Sequence, residues 1–74
     1  MERRYNRLRV VLAEREITSG KLAELVGVHR TSVSAWVTNK AQPSVVMLYR
    51  IAEALGVGVC DLLVDSASVP SGEG

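Results

Sequence analysis

Apolar positions recur at three- and four-residue spacing along most of the chain, with polar residues between them, and this pattern predicts helices throughout. Tyr5, Leu8, Val11, Leu12 and Arg15 share one face, with Arg3, Arg4, Arg7 and Arg9 between them. They predict an amphipathic first helix over about residues 3–15. Ile17 carries the apolar face past its end, and Thr18 is a good N-cap for a second helix whose inner face is Leu22, Ala23 and Val26. Gly27-Val28-His29 breaks that helix. Val33 and Trp36 then mark the inner face of a third, over about 30–37. Its β-branched Thr31, Val33 and Val37 are poor helix formers, so packing through Val33 and Trp36 has to hold it. After the polar loop 38–43, Ser44 caps a fourth helix over 45–55, with Val45, Leu48, Ile51, Ala52 and Leu55 inward and Gly56 at its end. Residues 57–64 predict a short fifth helix with Asp61 in its first turn. Beyond Asp65, SASVPSGEG carries linker residues without apolar period, which predicts a disordered tail over 66–74 and one folded domain over 1–65.

The stretch from Ser19 to Trp36 changes this from a generic helical domain into a particular one. A small residue at Ala23 and a glycine at Gly27, four apart, allow two helices to cross closely and the chain to turn with φ > 0. Val28 plugs the corner beneath the turn. This is the pattern of a helix-turn-helix, whose second helix offers its outer face, here Arg30, Thr31, Ser34 and Ala35, to the DNA major groove. Arg30 can fork onto guanine O6 and N7, and the Thr31 methyl can touch thymine. Each of these residues alone is ordinary surface; their shared place on the second helix makes them candidate base readers. The free N–H groups at the start of the second helix, with Ser19 just inside, form a candidate phosphate site. Asn39 suits the left-handed position that ends the third helix, and Lys40 beside it is a candidate phosphate contact. The arginines of the first helix read mainly as a solvated face, with Arg3, Arg4 and Arg7 near enough to its start to reach a phosphate in some dockings.

Composition narrows the choice further. A chain of 74 residues with 47% hydrophobic and 23% charged residues forms one small globular domain. The net charge is only +1, but residues 1–50 hold all nine Lys/Arg and four of the eight acids, leaving +5 there and −4 beyond. That asymmetry suits a phosphate-facing surface on one side, although an ordinary solvated surface accounts for it equally well. Cys60 is the one cysteine, which excludes an intramolecular disulfide, and its apolar neighbours suggest a small buried hydrophobe. No apolar run reaches membrane-spanning length and the N-terminus lacks a secretory core, so a cytoplasmic protein is expected. His29 is the one histidine, no second metal ligand accompanies it or Cys60, and no nucleophile–base pair or phosphate-cradling glycine loop occurs. No enzyme, metal site or cofactor is expected.

Leu22-Ala23, Gly27-Val28, Val33 and Trp36, then Asn39-Lys40-x-x-Pro43-Ser44, Ile51-Ala52-x-x-Leu55-Gly56-Val57 and Asp61-Leu62-Leu63 together resemble the phage repressor/Cro-type, or Xre-like, helix-turn-helix regulators. The resemblance runs from about Leu8 to Val64. It implies an all-α, five-helix domain that binds a pseudo-palindromic double-stranded operator as a two-fold homodimer. It places base contacts at His29, Arg30, Thr31, Ser34 and Ala35, and phosphate contacts at Ser19, Thr38, Asn39 and Lys40. Three departures stand out. Ser19 occupies a position where many members have a bridging glutamine, and Asn39 replaces a usual glycine. Leu12 and Val37 stand where members often pair an arginine with a glutamate. Exchanging both charged partners for apolar ones can be neutral or stabilising, so Leu12 and Val37 are expected to touch.

At this length no effector domain is expected. The chain resembles phage Cro-like repressors, restriction–modification controllers and antitoxins, which implies autoregulation and a possible protein partner such as a toxin or another regulator. The competing reading is a protein-interaction module on the same scaffold without DNA binding. The apolar residues Val57, Val59, Leu63 and Val64 exceed what one small core needs and are the expected dimer surface, while Leu62 closes the monomer's own core.

Overall fold

The computed structural model describes residues 4–64. Four α-helices follow one another: α1 (Leu8–Arg15), α2 (Ser19–Val26), α3 (Arg30–Val37) and α4 (Val45–Leu55), with a 3₁₀ turn, Val59–Leu62, after the last. The expected disordered tail over 66–74 lies outside the described residues.

Helix ends follow the local chemistry of the sequence. The Thr18 hydroxyl accepts from the Lys21 N–H at 3.1 Å, and the Ser44 hydroxyl accepts from the Met47 N–H at 3.1 Å. Gly27 closes α2 at φ 73°, a conformation that a side chain would oppose. The Val28 N–H then reaches back to the Ala23 carbonyl at 3.0 Å, which completes the turn between α2 and α3. The core gathers Leu8, Val11 and Leu12 of α1, Leu22, Ala23 and Val26 of α2, Val33 and Trp36 of α3, Ile51, Ala52 and Leu55 of α4, and Leu62. α2 packs against both α3 and α4, and α1 against α3. Leu12 is buried in this cluster and Val37 packs against it. Arg50 adds a tie that the apolar pattern does not reveal: its Nη2 donates to the Val26 carbonyl at 2.8 Å and fastens α4 to the end of α2.

Four features differ from expectation. The described α-helices number four, not five: residues 59–62 form a 3₁₀ turn and Leu63 is extended. Gly58 and the β-branched valines of 57–64 disfavour a helix, and the chain finds other partners. Arg7 N–H donates to the Leu62 carbonyl at 2.8 Å and Val64 N–H to the Tyr5 carbonyl at 2.9 Å, around an antiparallel bridge between Asn6 and Leu63. Asp61 does sit in the first turn, where its Oδ2 accepts from the Gly58 N–H.

The same pairing shortens α1, which begins at Leu8 rather than near residue 3, and residues 4–7 run as a strap along the C-terminal segment. Val45 is exposed and not inward, because α4 reaches the core only from Met47 onward; Val45, Val46 and Tyr49 together form an exposed apolar patch at its start. Cys60 is exposed as well, since the 3₁₀ turn directs Leu62 inward in its place. Among the described residues no helix is long and apolar enough to cross a membrane.

Candidate nucleic-acid interface

The outward face of α3 is built by what faces inward. Val33 and Trp36 anchor the helix in the core, and the remaining positions are presented to solvent by the helical repeat. His29, Arg30, Thr31 and Ser34 are exposed and Ala35 is half-buried beside them. All five expected base-reading positions therefore lie on one surface. His29 precedes the helix in an extended conformation and its side chain makes no cap hydrogen bond.

Arg30 connects this face to the start of α2. The Arg30 stem lies over the first turn of α2 at Gly20, where a Cβ would stand in ordinary van der Waals contact with Arg30 Cδ at 3.7 Å and Nε at 3.9 Å. Thr18, Ser19, Gly20, Lys21, Glu24 and Arg30 line an open hollow there. Thr18 satisfies the Lys21 N–H and its carbonyl takes the Leu22 N–H at 3.0 Å. The N–H groups of Ser19 and Gly20 precede these bonds at the helix end, where the macrodipole favours an anion. Ser19 is half-buried at this point and Lys21 exposed. Glu24 lies 3.9 Å from Lys21 Nζ, a surface pair of small energetic weight.

The far end of α3 closes as a Schellman turn. Asn39, at φ 60°, donates its N–H to the Trp36 carbonyl at 3.0 Å, and Lys40 donates its own to Ala35 at 2.9 Å. Asn39 thus takes the left-handed position foreseen for it. Its side chain does not face outward. Asn39 is 8% exposed; its Oδ1 accepts from the N–H groups of Tyr5 (2.9 Å) and Asn6 (3.1 Å) and from Gln42 Nε2 (3.2 Å), and its Nδ2 donates to the Asn6 carbonyl (3.2 Å). Thr38 is half-buried, and its hydroxyl proton is spent on the carbonyls of Ser34 (3.0 Å) and Ala35 (3.3 Å). Of the four expected phosphate contacts, Lys40 is exposed, Ser19 and Thr38 are half-buried with the Thr38 hydroxyl proton held by its own turn, and Asn39 is buried.

Sequence pattern alone missed Asn6, which is 4% exposed. Its Nδ2 donates to the Trp36 carbonyl (2.9 Å) and to Gln42 Oε1 (2.8 Å), and its Oδ1 accepts from the Leu8 N–H (3.0 Å). The available signal was an asparagine in an apparent helix interior, a residue type that favours caps and turns.

This scaffold, two short helices joined by a glycine turn with a polar second helix outermost, defines a helix-turn-helix domain. Comparison with known proteins then places it more closely. The Cro/C1-type HTH DNA-binding domain family matches residues 7–68, and the chain belongs to that family. It is also similar to a protein from Bacteroides fragilis whose crystal structure is described as that of a candidate DNA-binding protein. That protein is 44% identical, with a TM-score of 0.78, over 80% of this chain and 95% of the other. No curated protein matches the sequence.

Proposed function

We propose that this domain is a sequence-specific reader of double-stranded DNA that acts as a transcriptional regulator, a repressor of its own promoter, bound as a homodimer to a pseudo-palindromic operator. α3 enters the major groove with His29, Arg30, Thr31, Ser34 and Ala35 against base edges. Ser19 at the start of α2 and Lys40 after α3 take phosphates on either side. The observation that carries this reading is the exposed polar face of α3, flanked by Arg30 and Lys40, on a helix whose own propensity is poor. A helix with no outward task has little reason to be built from such residues. The fold similarity to a candidate DNA-binding protein at 44% identity supports the same conclusion.

Thr38 and Asn39 contribute by holding the turn, not by touching phosphate. The two-fold contact falls on the C-terminal segment, where Leu63 is 38% exposed and Val57, Val59 and Val64 are half-buried.

A second reading, a protein-interaction module, is favoured by the exposed Val45, Val46 and Tyr49 on α4. It leaves the α3 face without a purpose. Selecting bound duplexes from a randomised pool separates the two. A DNA reader enriches a two-fold-related consensus, whereas a pure protein module retains no duplex above background.

A further inference from the structure

We propose that Asn6 and Asn39 are positioning residues of the DNA interface, fixing where Lys40 and the last turn of α3 meet the phosphate backbone. The proposal rests on the DNA-binding reading above. Glycine would satisfy the left-handed backbone of Asn39 equally well, so φ alone does not account for asparagine here. Its amide reaches the strap more than thirty residues away and takes up the N–H groups of Tyr5 and Asn6. Asn6 returns the tie at Trp36, whose carbonyl accepts both from Asn39 within the turn and from Asn6 across it. Gln42 closes the ring, donating to Asn39 and accepting from Asn6. Among the described residues no buried side-chain nitrogen or oxygen lacks a partner.

The mechanical consequence follows from adjacency. Lys40 is the next residue after Asn39, and its own N–H is bonded to Ala35. Its Cα is therefore held from the α3 side by the Schellman turn and from the other side by the strap, which in turn pairs with the C-terminal segment through Leu62 and Val64. Only the Lys40 side chain remains free to seek a phosphate. A satisfied buried amide network of this kind rigidifies the group it supports, and a contact placed within a few tenths of an ångström depends on such support.

The test compares wild type with Asn39→Gly, Lys40→Ala and the double variant on the selected operator duplex, titrated across a series of salt concentrations. Folded fractions are measured by circular dichroism in the same buffers. Asn39→Gly keeps the backbone conformation and removes the ties. The expected result is that Asn39→Gly, while folded, lowers the salt slope of log K by about 0.9, as the loss of one phosphate contact does. Lys40→Ala is expected to do the same, and the double variant to lower it no further. A merely structural role would leave the slope of the folded fraction unchanged. If Asn39→Gly does not fold, Asn6→Ala is read in its place: it keeps the backbone groups that Asn39 holds and removes the second set of ties, from the Asn6 amide to the Trp36 carbonyl and Gln42 Oε1.

An unchanged slope in the folded variant, or additive falls in the double variant, would overturn the proposal while leaving DNA binding intact. Wild type that binds no duplex would overturn both.

Discussion

At Asn39 two demands meet in one side chain: a left-handed backbone at the end of α3 and a polar anchor for the strap. The first was legible in the sequence, because few residues tolerate positive φ and asparagine is one of them. The second was not, since its partners, Tyr5 and Asn6, lie far away in the chain and no local pattern links them. The two demands separate by mutation. Asn39→Ala loses both and Asn39→Gly only the ties, so in urea denaturation Asn39→Ala is expected to be the less stable by about 1–2 kcal/mol, the left-handed penalty of a Cβ. Equal stabilities would mean that the turn is not under this constraint. Arg30 teaches a related lesson. Its place on the outer face of α3 followed from helical spacing, but its stem lying over Gly20 depends on how α2 and α3 cross, which spacing does not encode.

At the scale of elements, α2 and α4 begin and end as their residues dictate. Thr18 and Ser44 cap, Gly27 and Gly56 close in left-handed conformation, and each boundary uses chemistry confined to a few neighbouring positions. Thr18→Ala is expected to cost about 1 kcal/mol in thermal or urea unfolding, as a lost cap does. Trp36→Ala should cost about 3–5 kcal/mol, since it removes the largest side chain of the core from the helix least able to stand alone. A cost below about 1 kcal/mol at Trp36 would contradict the view that packing through this side chain holds α3. The first helix and the C-terminal segment were misread for a common reason. Residues 4–7 and 62–64 satisfy their backbone groups with each other, and a helical apolar period in either stretch cannot reveal a partner from the opposite end of the chain. The inward reading of Val45 failed differently: a helix can be amphipathic over its length while its first turn overhangs the core.

Across the whole molecule, charge and apolar surface are sorted. All nine Lys/Arg lie in residues 1–50, and among the described residues exposed apolar side chains occur at Leu63 in the C-terminal segment and as a group at the start of α4, besides the separate Tyr5, Val10 and Leu25. The proposed two-fold contact lies at the C-terminal segment. Leu63→Lys is therefore expected to shift the protein from dimer to monomer in sedimentation, whereas Val46→Lys leaves the dimer in place. The opposite pattern would move the interface to α4.

The most direct test of the central claim, that α3 reads bases while its flank holds phosphate, uses two labelled duplexes, the gene's own upstream region and a scrambled one, at two salt concentrations. Wild type, Arg30→Ala and Lys40→Ala are compared. The account predicts tight, selective binding by wild type. Arg30→Ala should lower affinity for the upstream duplex by about 1–3 kcal/mol and level it with the scrambled one. Lys40→Ala should weaken both duplexes alike and flatten the salt dependence. Equal affinity of wild type for both duplexes, or no binding to either at low salt, would contradict it.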